Sequence, residues 1–171
     1  MKVYELNLIG KEHLKSMYCI YIIILNNNNE KYYYIGQTGD RKHISARSPF
    51  YRLTGHLDKQ KSSTQNQIYK GIMEKILKIK YDENTYENVE NYFANLNLKM
   101  YTFPIFDFEY KIKSDEHSKR RMKVEEIENE LINEFIIKYG KDKILNKKCK
   151  KVISKNEIIN EIINYIYEKE K

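Results

Sequence analysis

Hydrophobic positions change period several times along the chain. Residues 18–25 form an unbroken run of aromatic, aliphatic and β-branched side chains, which predicts a strand buried on both faces. Residues 32–37, with Gly36 near the end, predict a second strand. Asn26, Asn27, Asn28 and Asn29 lie between the two runs, and asparagine tolerates the left-handed angles of a hairpin turn. A two-residue loop at Asn27-Asn28, or a four-residue loop over 26–29, sets Tyr21 directly opposite Tyr34 on one sheet face. An odd loop would send one of them to the other face.

Residues 38–47 are polar, with Gly39-Asp40 as a turn signal, and read as a loop. Ser48-Pro49 then predicts a helix start, Ser at the N-cap and Pro at the first helical position. Phe50, Leu53 and Leu57 form its apolar stripe. Arg52 and His56, four apart, share another face, expected to look out from the core toward a groove. After a polar link at 61–64, Ile68, Ile72, Ile76 and Ile79 predict an amphipathic helix over 65–80, broken at 81–84. Tyr86, Val89, Phe93 and Leu96 predict a further helix over 85–100. Residues 101–113 begin with an apolar run around Pro104 and then alternate, predicting a half-exposed third strand. Val124, Ile127, Leu131 and Phe135 predict a long helix over 115–139, stopped by Gly140. Residues 141–152 read as a basic loop. Ser154 and Glu157 form a capping box that opens a last helix to about residue 168. Residues 1–17 carry a weak pattern, an extended edge at 2–6 and a helical turn at 8–14. The expected fold class is α/β (α+β): a small three-stranded, mainly antiparallel sheet flanked by helices, in one domain over 1–171.

The net charge of +7 points to a polyanionic partner. Lysine and tyrosine are abundant throughout, as in a chain from an AT-rich genome, so they discriminate little. Arginine is scarce: Arg41, Arg47, Arg52, Arg120 and Arg121 are all there are, and three of them precede residue 57. The two cysteines, Cys19 and Cys149, match no metal-ligand spacing; Cys19, inside a strand, is expected to be a buried free thiol. With no apolar segment near ~20 residues and no leader pattern, a cytoplasmic protein is expected.

Hydrolysis of a phosphodiester needs a carboxylate for a divalent cation, a base for water and a fixed cation for the transition state. The sequence offers Glu128 or a neighbour for the metal, Tyr21, Tyr34 or His56 for the proton, and Arg52 for the charge. Glu128 follows Val124 at the edge of the apolar stripe; Glu125 is its main rival. Tyr18, Tyr32 and Tyr33 read as packing residues. His13, His43 and His117 have no evident partner and read as surface residues.

Cys19-Ile20-Tyr21, then Tyr34-Ile35-Gly36-Gln37-Thr38, then Arg52 with His56, Glu128-Asn129-Glu130-Leu131-Ile132 and a late Asn146 follow one another in an order that resembles the GIY-YIG nucleases. The likeness covers residues 18–146. Cys19 stands where that family has its first glycine, the spacing between the tyrosine motifs is slightly long, and the segment between Gly36 and Arg52 exceeds that of the smallest members. The helices near 85–100 and 154–168 look like additions to the minimal module. The resemblance implies that Glu128 holds one Mg²⁺, for which Mn²⁺ can substitute. Tyr21 takes a proton from water and passes it toward His56, Tyr34 bonds phosphate or water, and Arg52 stabilises the transition state. Asn146 orients the glutamate or lines the site. The implied partner is double-stranded DNA, and a palindromic site would call for a homodimer or two monomers meeting on DNA.

Phosphate contacts are expected from Lys119, Arg120, Arg121, Lys147 and Lys148, and base reading from the 38–47 loop with Arg41, Lys42 and Arg47 and from the inserted helix. The implied function is a sequence-specific, type II restriction-like endonuclease. Two alternatives stay open: a structure-specific or low-specificity repair or phage nuclease, and a nucleic-acid-binding module without catalysis. RNA as substrate is not excluded by the residues.

Overall fold

The computed structural model describes residues 11–27, 30–58, 66–80, 86–147 and 156–171. It is an α+β protein built on an open, three-stranded, wholly antiparallel sheet: β1 (Met17–Asn27), β2 (Glu30–Gln37) and β3 (Asn97–Asp107), in the order β2-β1-β3. The helices are α1 (Pro49–His56), α2 (Gln67–Gly71, running on as a π-helix over Ile72–Leu77), α3 (Tyr86–Ala94), α4 (Ser114–Tyr139) and α5 (Glu157–Lys169). No helix among the described residues is long and apolar enough to cross a membrane.

The unbroken apolar run of β1 has the double burial it predicts. Tyr18, Ile20, Ile22 and Ile24 face α4 and α5, against Val124, Ile127, Leu131, Phe135, Ile159, Ile162 and Ile166. Cys19, Tyr21, Ile23 and Leu25 face the opposite layer, with Ile68, Tyr69, Ile72 and Val89. Side chains alternate across a strand, so a central strand covered on both sides must be apolar at every position.

Several boundaries differ from the sequence expectation; the helix expected over 65–80, for one, ends at Leu77 and leaves Ile79 outside it. Pairing runs to Asn27 opposite Glu30, so the loop sits one residue later than predicted and the register moves by two. Tyr21 therefore lies opposite Gly36, and Tyr34 opposite Ile23. The even loop still leaves both tyrosines on one face. Residues 97–100 belong to β3 and not to the preceding helix, which ends at Ala94. Met100 pairs with Ile23 and Leu98 with Leu25; partners on the central strand outweigh a helical period carried by Leu96. β3 stops at Asp107, so Phe108, Tyr110 and Ile112 lie beyond it, and Tyr110 is exposed. Its register shifts beside Pro104, which lacks an N–H for the ladder and sits on an edge strand. Asn156 caps α5; Ser154 of the expected capping box lies outside the described residues, as do the 2–6 edge and the 61–64 and 81–84 links.

α4 ends as predicted, at Gly140 with φ +88°. The next residues return to the sheet: Ile144 bridges Tyr33 in parallel and the Leu145 N–H donates to the Tyr33 carbonyl at 2.8 Å. That return closes the outer edge of β2, where the candidate site is built.

Candidate active site

The hairpin supplies two tyrosines. Tyr21 and Tyr34 are buried with ring centroids 6.4 Å apart. Gly36 makes room for the first: a Cβ there would come within 2.4 Å of the Tyr21 ring and hydroxyl. The glycine of Tyr34-Ile35-Gly36 is thus a packing requirement of Tyr21 across the ladder, a relation the directly opposed register hid.

The helix supplies Arg52 and His56. Ser48 caps α1 by accepting the Tyr51 N–H at 3.3 Å, and Pro49 opens the first turn. Leu53 and Leu57 pack on the Tyr21 layer, as the stripe predicts. His56 does not look outward: it is buried, its Nε2 lies 2.6 Å from the Tyr21 hydroxyl, and its ring centroid is 4.5 Å from that of Tyr34. His56 is the last residue of α1, and its ring lies against both Tyr21 and Tyr34. Arg52 stays at the mouth. Its Nη2 donates to the Thr38 carbonyl at 3.2 Å, while its buried Nε has no hydrogen-bond partner. Thr38 itself is fully buried, accepting the Cys19 N–H at 2.9 Å and donating to the Met17 carbonyl. Sequence reading missed Thr38, which ties the start of the loop to β1.

The long helix brings the carboxylate from far along the chain. Glu128 is half-buried and lines a cleft of about 660 Å³ with Tyr21, Tyr34, Arg47, Arg52 and His56. The rival, Glu125, is committed elsewhere: it takes Arg41 at 2.6 Å and Arg121 at 2.8 Å. None of the ion pairs among the described residues uses Glu128. Burial, reinforced by the charge of Glu125, pushes its pKa up to about 8 against the pull of Arg52 and Arg41. Burial likewise raises Tyr21 well above the ordinary phenol, with Tyr34 adding to it and Arg52 opposing, and raises Tyr34.

Compared with known proteins, the chain matches no family model, no curated protein and no solved structure. The site therefore has to be judged on its own groups.

Glu128 could offer a divalent cation one oxygen ligand. A desolvated carboxylate without a cationic partner, open to a cleft, is one hard-oxygen ligand, and Mg²⁺ commonly takes one or two carboxylates, keeping waters and substrate oxygens for the rest. Among the described residues no three His, Cys, Asp or Glu side chains cluster into a fuller cage; of the two carboxylates that line the cleft, Asp40 pairs with Arg47 at 3.3 Å and Glu128 joins no ion pair among the described residues.

Asn146 reaches the same edge in a different way from the one expected. Its side-chain amide accepts the Ile35 N–H at 3.1 Å and donates to the Ile35 carbonyl at 2.7 Å. It copies a strand neighbour for β2 and so fixes the strand that carries Tyr34.

The expected DNA-contacting residues divide. Arg41, Lys42 and Arg47 line the cleft with His43; Arg47 also pairs with Asp40 at 3.3 Å and covers the Tyr51 ring. Arg121 packs under Gly39 and binds Glu125. Arg120 is held by Glu116, Glu109 and the Asp107 carbonyl, away from the cleft. Lys119 is exposed, Lys147 pairs with Glu74 at 2.7 Å, and Lys148 lies outside the described residues. His117, expected at the surface, is buried: its Nδ1 lies 2.6 Å from the Tyr18 hydroxyl and its Nε2 3.0 Å from the Asp40 carbonyl. Cys19 is the buried free thiol expected, its pKa pushed up to about 12 by burial.

Proposed function

We propose that the protein is a Mg²⁺-dependent endonuclease of the GIY-YIG type, hydrolysing phosphodiester bonds of double-stranded DNA at a defined sequence in the manner of a stand-alone restriction enzyme. The observation that carries this is the convergence of Tyr21, Tyr34, Arg52, His56 and Glu128, drawn from three separate parts of the chain, on one cleft beside a cationic loop. The order of the same residues in the sequence supports it independently.

Mg²⁺ on Glu128 would neutralise charge at the scissile phosphate and acidify the attacking water. The chain's own groups do the rest. Burial keeps Tyr21 a phenol at neutral pH, so it cannot begin as a base alone. With His56 neutral and its proton on Nδ1, Nε2 at 2.6 Å accepts the phenol proton as the Tyr21 oxygen takes one from the water. The proton moves from water to imidazole without a free phenolate accumulating. Arg52, steadied by the Thr38 carbonyl, meets the charge that grows on the phosphorane-like transition state. Tyr34 holds the phosphate or the water in line. Arg41, Lys42 and Arg47 bind backbone phosphates and approach base edges, which makes affinity salt-dependent.

Incubation of a supercoiled plasmid with Mg²⁺, followed by sequencing of the ends, tests this directly. Cleavage at one sequence, lost in Glu128→Gln and sharply slowed in Tyr21→Phe, is the expected result. Random nicking would make it a low-specificity nuclease, and branch-dependent cutting a structure-specific one. Binding with no cutting would make the protein a nucleic-acid-binding module, and cleavage of RNA alone would change the substrate.

A further inference from the structure

None of the proposed catalytic groups lies on α2 or its π-helical continuation, yet this unit holds the segment that closes β2. Gly71 sits so near that segment that a Cβ on it would lie 3.1 Å from the Leu145 Cβ. Four residues on, the half-buried Lys75 reaches across. Its Nζ donates to the Ile144 carbonyl at 2.5 Å, with a longer bond to the Asn146 carbonyl at 3.5 Å. The turn that carries it, Ile72–Leu77, is π-helical, a rare form found often at functional sites.

From there the contacts run to the site in short steps. The Leu145 N–H donates to the Tyr33 carbonyl at 2.8 Å. The Asn146 amide holds both the N–H and the carbonyl of Ile35. Tyr34 lies between these two anchored residues, and its ring lies against His56. A charged donor binds a carbonyl roughly twice as strongly as a neutral one. One ammonium shared by two carbonyls therefore fixes the returning segment more firmly than water would. Burial, first of all, lowers the Lys75 pKa; Lys141 and Lys147 push the same way, and Asp142 and Glu74 oppose them. We propose that Lys75 is a positioning residue of the cleavage reaction: through the main chain of Ile144 and Asn146 it holds the edge of β2 where the Tyr34 hydroxyl meets the substrate. Lys75 itself lies outside the lining of the cleft. The inference rests on the nuclease reading of that cleft.

Lys75→Met keeps the stem and removes the ammonium. Exchange of the Ile35 amide proton should rise several-fold in this variant while that of Leu131 in α4 stays slow. Single-turnover cleavage at saturating DNA should fall by about 10–100-fold, as a misplaced group costs, with DNA affinity unchanged. In an Asn146→Ala background the same substitution should cost much less; an equal loss there overturns the route through Asn146. Unchanged Ile35 exchange, or faster exchange with an unchanged cleavage rate, overturns the inference. So does a loss confined to DNA affinity, which would make Lys75 a phosphate contact. The wild type decides if the methionine variant does not fold: the Lys75 ammonium protons should exchange more slowly than those of exposed Lys119, and equal rates overturn the clamp. Wild type and Lys75→Met that cleave alike sink this role alone. A wild type that leaves DNA uncut sinks the nuclease reading, and this role with it.

Discussion

Two tyrosine–histidine pairs sit on opposite faces of the central strand and are nearly the same in geometry. Tyr18 with His117, and Tyr21 with His56, each have oxygen and nitrogen 2.6 Å apart and ring centroids 5.7 Å apart. Both tyrosines are raised in pKa, first of all by burial. Their surroundings separate them. His117 uses its other nitrogen on the Asp40 carbonyl, so that pair is a rivet between β1, α4 and the loop. The Tyr21 pair opens on the cleft beside Arg52 and Glu128. A short phenol–imidazole bond is therefore no signature of chemistry. A shared cleft with an arginine and with Glu128, which joins no ion pair among the described residues, is what sets one pair apart from the other.

The comparison is most severely tested at Glu128. Glu128→Gln should abolish cleavage, and Mg²⁺ should raise the Tm of the wild type but not of the variant; metal-induced stabilisation that survives the substitution would place the ion elsewhere. Next comes the paired substitution on the two faces. Tyr21→Phe should slow single-turnover cleavage by about 10²–10⁴-fold. Tyr18→Phe should cost only about 1 kcal/mol of stability in urea unfolding, with the cleavage rate unchanged. Equal catalytic losses would erase the distinction between the faces. Gly36→Ala drives a methyl into the Tyr21 ring and should cost about 1–3 kcal/mol, with a catalytic loss that the neighbouring face does not show.

The last test, with no catalytic effect expected, concerns a carboxylate remote from the site, whose pKa moves the other way from that of Glu128. Burial pulls Glu170 upward, but hydrogen bonds from Tyr101, Lys99 and Lys31 win and hold its pKa at about 2. A folded-state pKa below the unfolded one stabilises above the unfolded value and is lost as pH falls through the folded value. Glu170→Gln should thus cost on the order of 2 kcal/mol at pH 7, with the difference shrinking below about pH 4.5 and gone near pH 2. Urea unfolding across that range measures it; a gap that persists at low pH would mean the substitution acts through packing.

Much of the site was legible because its signals are local. Ser48-Pro49 announced α1, the asparagine turn put both tyrosines on one face, and the edge of the α4 stripe favoured Glu128 over Glu125. What escaped was set by partners distant in sequence. The hairpin closed one residue later than expected because Asn27 and Glu30 pair, and the sequence cannot rank even loops. Leu98 and Met100 left the helical pattern because β1 offered them a ladder. His117 was read as solvated because neither Tyr18 nor the Asp40 carbonyl is near it in sequence. Asn146 was found for the right place but a different duty, since nothing in the chain says that an amide will imitate a strand.

That imitation has a consequence for assembly. An exposed sheet edge is an invitation to another strand. Here Asn146 and the Tyr33–Ile144 bridge occupy the outer side of β2. The far edge, β3, presents Lys99, Pro104 and Asp107 to solvent, and Pro104 has no N–H to lend. Neither margin welcomes a second copy by sheet extension. Two protomers that meet on a palindrome would have to be joined through helices, loops or the DNA itself, which leaves each cleft with its own complete set of groups.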